Sequence, residues 1–274
     1  MGNLKRTRLS KKTDKMTQVT HMIKRLFLFL CIFFFSTLAV AQSNPYLDAL
    51  PNWQKVLTNF VDDQGRVNFK GLASNPADLI TFVAATQQVS PQTHPGLFAS
   101  RAQTLAYHIN AYNAQAMYGI LDRDIPKDIS GLAKQASFFR FRGILLGGKK
   151  TNLYHYENKV IRPLDEPRLH FALNCMVRDC PRLPRQAFTE ANLEQMLDSV
   201  SVEFLNKDKY VLVDQNKKTV WVSKIMDFYT KDFVPSGKAD DLIGYINLYR
   251  NNKIPADYRV KYKKYDWTVN QQPS

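Results

Sequence analysis

The sequence predicts an α+β fold built as one domain over residues 42–274, with antiparallel hairpins packed against helices. Three observations predict it. β-rich stretches come in pairs joined by short polar or glycine turns. Between the pairs lie segments whose apolar residues recur at three- and four-residue steps. No internal repeat, low-complexity tract or linker-like stretch divides them.

In chain order, "FVDDQGRVNF" (60–69) reads as a hairpin with a glycine-bearing turn. From Gln103 to Leu121, the residues Leu105, Ile109, Tyr112, Ala116 and Ile120 form one buried helical stripe. "RGILLGGKKTNL" (142–153) places Gly147-Gly148 at a two-residue hairpin turn. Asn152 to Ile161 reads as a short helix stopped by Pro163, and "RLHFALNC" (168–175) as a buried strand. A second amphipathic helix runs from Thr189, its N-cap, to Asn206. "YVLVDQNKKTVWVS" (210–223) is a third hairpin. Ser223 caps a helix over "SKIMDFYTKDF", and "ADDLIGYINLYR" opens another with acidic residues that suit the helix dipole.

The first 41 residues lie outside this domain. Lys24 and Arg25 precede an apolar run from Leu26 to Phe35, and small residues follow up to Ala39-Val40-Ala41, the pattern of a cleaved signal peptide. The apolar stretch, 26–41, is shorter than the ~20 residues of a spanning helix. Cys31 sits in mid-core, away from a lipidation point. The polar, basic residues before Met22 suit no signal, and Met22 is the expected start of translation. Export to the periplasm or the extracellular space follows, with no stable membrane anchor after cleavage. Removing the leader leaves 30 basic and 23 acidic residues of the 38 and 24 in the whole chain, a formal +7 in place of +14. The remaining charge is dispersed over solvated faces. No basic tract interleaved with aromatics points to nucleic acid.

Several segments together resemble one family, the domain-of-unknown-function family numbered 547. They are "VNFKGL" (67–72), "HINAYNAQAM" (108–117), "LGGKKTNLYHYENKVIRP" (146–163), "DEPRLHFALNCMVRDCPRL" (165–183), "VSKIMDFYTKDF" (222–233) and "YKKYDWTVN" (262–270). The resemblance implies a bacterial secreted protein and says little about activity. Three departures stand out. His108 replaces a usual Trp, Tyr154-His155 replaces Asp-Asp, and "MVRD" fills the loop between the cysteines where a small residue and Gly are usual. His108 and His155 are therefore poor candidates for a shared site.

Matching the family pattern leaves His170 among the histidines, Glu157 as the carboxylate and Cys175 as the thiol. Thiol catalysis needs such a nucleophile, base and orienting group. By analogy with papain-like hydrolases, which use such a trio on an α+β fold, the function implied is cysteine hydrolysis or acyl transfer on a peptide or envelope polymer. Asn174, or a backbone N–H near it, is the candidate oxyanion donor. Asn110, Asn113 and Arg162 are further candidate binding residues. Each has a structural alternative: Glu157 pairs with Arg162 or Arg168, and Asn110 and Asn113 bond neighbouring backbone. The rival function is a non-catalytic envelope-binding module, stapled by a Cys175–Cys180 disulfide as export favours. A scaffold for assembly partners is a third. No cofactor is expected, and no His-x-His, HExxH or Cys-x-x-Cys suggests a metal.

A straight strand raises an objection to the dyad. Five positions separate His170 from Cys175, so alternation puts them on opposite faces, roughly 16 Å apart. A direct dyad requires either a turn near Asn174 or Cys180 as the thiol, reached by a folded-back loop, whereas Asn174 shares a face with His170.

Overall fold

A computed structural model describes residues 43–273. The expected leader and start at Met22 lie outside the described residues. The domain is α+β, with helices more prominent than strands. Helix α1 (Pro45–Phe60) begins at Asn44, whose side chain accepts from the N–H groups of Tyr46 and Leu47. The short α2 (Phe69–Ser74) and then α3 (Ala77–Gln88) follow. The expected first hairpin is reduced to one bridge, Val61 with Val67.

Helix α4 (Arg101–Leu121) is the centre of the domain. Ser100 caps it by accepting from Gln103 N–H, and every side chain from Leu105 to Met117 is buried. The expected stripe is buried as read, but so are His108, Asn110, Asn113 and Gln115 on the other faces. A helix covered on all sides must satisfy each buried polar group internally. Asn110 does so in full. Its Oδ1 accepts from Trp53 Nε1 and Phe188 N, each at 3.1 Å, and its Nδ2 donates to Tyr46 O–H at 2.9 Å and Phe188 C=O at 2.7 Å. It thereby ties α1 and the 187–188 segment to α4. Around this knot Trp53 stacks on Phe82 and Tyr46 packs on Tyr107.

After α5 (Leu132–Ala136) and a wider turn at Ser137–Phe141, strands β1 (Gly143–Leu146) and β2 (Lys149–Asn152) form the expected hairpin. Gly147 and Gly148 both adopt positive φ, +52° and +77°, which a two-residue turn of this kind requires. Their N–H groups dock on the carbonyls of Thr86 and Gln87 at the end of α3. Helix α6 (Leu153–Tyr156), capped by Asn152, continues through Glu157–Ile161.

The second half carries α7 (Leu193–Asn206), which starts beyond Thr189. Thr189 and Asn192 bond each other reciprocally ahead of the first helical turn. Strands β3 (Val211–Asp214) and β4 (Thr219–Val222) pair antiparallel. Helices α8 (Lys224–Phe228) and α9 (Thr230–Phe233) follow Ser223, which caps as expected, and α10 (Leu242–Tyr249) precedes β5 (Arg259–Tyr262). The β5 strand joins β4 in parallel, a pairing that no hairpin signal marks. The segment after β5 runs back across the cysteine loop: Val269 bridges Val177, and Asn270 N–H donates to Met176 C=O at 2.9 Å.

Replacing Asn110 by Ala would strand four buried polar groups. We expect Asn110→Ala to cost at least about 2 kcal/mol. A lowered urea midpoint with an unchanged slope is the expected measurement.

Candidate active site

The "RLHFALNC" stretch is not a strand. Pro167 opens a tight 3₁₀ turn over Pro167–Phe171, and Glu166 caps it through Arg168 N–H. Proline fits a first helical position because its fixed φ is helical and it needs no partner for an N–H. The segment is buried on all sides, so its apolar run carries no periodicity that separates strand from turn. Arg168 fixes it from outside with a fork to Glu166, Glu194 and Asp198.

The chain then reverses at Asn174. Its N–H donates to Asn113 Oδ1 at 2.7 Å, its Oδ1 accepts from Met176 N–H at 2.7 Å, and its Nδ2 donates to Pro181 C=O at 2.7 Å. Asn113 Nδ2 donates in turn to Ala172 C=O at 3.0 Å. Met176 takes the left-handed conformation, φ +67°. Such a residue costs roughly 1–2 kcal/mol, and the Asn174 bonds on either side hold it there. The expected objection to a His170–Cys175 pairing rested on strand alternation and falls with the strand. Asn174, offered as an oxyanion donor, instead builds the turn through its N–H, its Oδ1 and an Nδ2 hydrogen. Asn110 lies in the core knot, and Asn113 clamps the turn.

Cys175 is half-buried and Cys180 buried, both as free thiols. Their Sγ atoms are 2.7 Å apart, and Cys175 N–H donates to Cys180 Sγ at 3.2 Å. The Tyr265 hydroxyl sits 3.6 Å from Cys180 Sγ. The hydrogen bond to Cys180, then burial, then the nearby Glu157 carboxyl, raise the Cys175 pKa well above its ordinary value. Burial opposes ionisation of Cys180, but donors from Cys175 and Tyr265 outweigh it and lower its pKa. The pair is therefore uneven: its surroundings disfavour ionisation of Cys175 and favour that of Cys180.

His170 is oriented by a carboxylate, but not by Glu157. Its Nε2 lies 2.8 Å from Asp232 Oδ2. Arg162 grips the same carboxylate with two bonds, Nε at 2.6 Å and Nη2 at 2.7 Å, and also donates to Asn158 Oδ1. Burial opposes the charge on Asp232, yet the bonds from Arg162 and His170 hold its pKa well below the usual carboxylate range. The Tyr229 ring stacks on the imidazole at 4.0 Å, and Phe233 covers another side at 5.3 Å. Among the described residues Nδ1 has no hydrogen-bond partner.

Glu157 is buried and accepts from two phenols, Tyr112 at 2.8 Å and Tyr229. Burial and then the Glu157 carboxyl raise the pKa of both tyrosines well above the ordinary value, so they remain donors. The expected Glu157 partners Arg162 and Arg168 bind other carboxylates, so Arg162 acts as the anchor of Asp232. Of the remaining histidines, His108 bonds Tyr156 and Gln92, and burial depresses its pKa to about 3.

All three expected catalytic side chains nevertheless line one cavity. It measures about 70 Å³ and is walled by Cys175, Cys180, His170, Glu157, Tyr112, Tyr229, Tyr265 and Trp267, among others. That is room for roughly two water molecules. Phe139, Glu157, Phe228, Tyr229 and Trp267 also line an adjoining open cleft of about 650 Å³. Tyr112, Tyr229, Asp232, Tyr265 and Trp267 were not legible as site residues. Asp232 lies within the "SKIMDFYTKDF" segment, three residues after Tyr229, and that spacing is the one signal that marks it.

The fold and the cavity define an α+β protein in which a thiol pair, a carboxylate-bound imidazole and a tyrosine-bound carboxyl converge. Residues 98–205 match the family described as "Protein of unknown function, DUF547". The matched stretch holds Glu157, His170 and both cysteines and ends before Asp232, Tyr265 and Trp267. No curated protein and no solved structure matches the chain.

Because the bond to Cys180 is the largest cause of the raised Cys175 pKa, its removal has a signed consequence. In the reduced protein, the rate of Cys175 alkylation by iodoacetamide should still be rising above about pH 9. In Cys180→Ala the profile should move toward lower pH. Mass spectrometry of the labelled peptide reads both.

Proposed function

We propose that the protein is a thiol-dependent hydrolase or acyl-transfer enzyme acting on a peptide or envelope polymer, with Cys175 as nucleophile and His170 as base. The observation that carries this reading is the convergence of Cys175 and His170 on one cavity, with the imidazole held from behind by Asp232. A base with one ring nitrogen tied to a carboxylate presents the other in a defined tautomer. Here the tied atom is Nε2, so Nδ1 is the atom that takes the thiol proton.

The raised Cys175 pKa sets the order of events. A preformed thiolate is disfavoured, so the sulfur loses its proton as it attacks. Cys175 Sγ forms a bond to the carbonyl carbon while its proton passes to His170 Nδ1. The imidazolium, stabilised by Asp232, then protonates the leaving group as its bond to carbon breaks. Water or an acceptor nucleophile, deprotonated by the same nitrogen, releases the thioester and regenerates the thiol. Before this, the thiol must turn from Cys180 toward the imidazole. The Tyr265 hydroxyl, which points at Cys180 in the resting site, is the donor that turns to the developing oxyanion. Glu157, with its two phenols, forms part of the cavity wall.

A second reading is favoured by the short Sγ–Sγ separation: an oxidised Cys175–Cys180 pair in a non-catalytic envelope-binding module. Export, expected from residues 22–41, belongs to both readings. Labelling the purified chain with iodoacetamide, with and without reductant, separates them.

The catalytic reading predicts that the reduced chain, mixed with p-nitrophenyl acetate, releases a burst of one equivalent of p-nitrophenol per protein. Cys175→Ala should abolish the burst. His170→Gln should slow acylation by at least about 10²-fold, and Asp232→Asn should slow it to a lesser degree. A burst that persists at its full rate in His170→Gln removes the proposed base.

A further inference from the structure

The cleft beside the cavity carries chemistry that the proposed reaction does not use. It is walled by flat apolar faces: Phe139, Phe228, Tyr154 and Trp267, with Phe228 and Tyr154 exposed. Its volume of about 650 Å³ falls in the range of small-ligand sites. The cleft adjoins the cavity through shared walls, since Phe139, Glu157, Phe228, Tyr229 and Trp267 line both.

Charge in the cleft is asymmetric. Arg162 is neutralised by Asp232, and the carboxyl of Glu157 is bound by two phenols. Arg140 is different. Its guanidinium lies flat, 3.5 Å over the Tyr154 ring, and no carboxylate among the described residues reaches it. Stacking orients the planar group while leaving its edge donors free, which suits two-point binding of a carboxylate. Gln135 and Asn158, which also line the cleft, are uncharged.

We propose that this cleft is the substrate-recognition site, and that it takes a molecule with a flat apolar body and a carboxylate, the carboxylate held by Arg140. The inference rests on the catalytic reading only in calling the ligand a substrate. It narrows the substrate class to acyl compounds that carry a free carboxylate on an apolar or aromatic portion. Arg140 is then a specificity residue.

Calorimetric titration of the full chain tests this with three probes that share one apolar body and lack a cleavable bond: 4-phenylbutyrate, 4-phenylbutanol and 4-phenylbutylammonium. The anion should bind about tenfold tighter than the alcohol, and the cation more weakly than either. Arg140→Gln should bring anion and alcohol to within about twofold. The side chain is exposed, so the fold should tolerate the change. Gln135→Glu is a second, near-isosteric variant that should weaken the anion roughly threefold and leave the alcohol unchanged. Equal binding of the three probes, no binding of any, or an anion preference that survives Arg140→Gln would each overturn the proposal. Binding of 4-phenylbutyrate without a p-nitrophenol burst counts against the catalytic reading alone. A burst without selective binding counts against the cleft alone.

Discussion

The pair of buried asparagines, Asn113 and Asn174, is the constraint on which the site depends. Asn113 stands on the central helix and holds the backbone at Ala172 and Asn174, as a neighbouring strand would. Asn174 then reverses the chain by bonding two residues ahead and seven residues ahead. These bonds are made where water is excluded, so losing one leaves a buried donor or acceptor uncompensated. The turn turns an apparent obstacle into the means of assembly. Cys175 comes back to the cavity that His170 lines, and Cys180 is drawn in behind it. The final segment of the described chain adds a second restraint through Val269 and Asn270.

The electrostatics of the cavity follow from what each group is allowed to bond. His170 has one nitrogen tied to Asp232, and Asp232 is tied to Arg162, so the negative charge behind the imidazole is already matched. Cys175 faces the opposite situation. Its neighbours are a second sulfur and a carboxyl, and both oppose a thiolate. An activated cysteine of the ion-pair kind needs a cation beside the sulfur. On the proposed catalytic reading the base would therefore act during attack, as it does with a hydroxyl nucleophile. The two tyrosines on Glu157 keep that carboxyl in place as a wall.

Much of the framework was legible from the chain. Gly147-Gly148 between β-rich arms announces its hairpin because two successive positive φ angles are cheap only for glycine. The 103–121 periodicity and the cap at Ser223 mark helices through local hydrogen bonding. Cys175, His170 and Glu157 could be singled out through the family motif. Their roles could not. The apolar run at 169–173 reads as a strand because complete burial erases the alternation that separates strands from turns. Asp232 was invisible as the partner of His170 because 62 positions separate them.

By itself, the sequence determined the α+β class, most helices and hairpins, and the side chains available for thiol chemistry. These depend on interactions among near neighbours along the chain, which composition and spacing encode directly. Tertiary structure alone decided that Asp232 replaces Glu157 behind the imidazole and that Arg162 serves Asp232. It also decided that Asn174 makes the turn rather than the oxyanion site. Those are choices among several chemically equivalent carboxylates and amides. They are settled by which groups the packing of the central helix and the two short helices after Ser223 brings within hydrogen-bond distance.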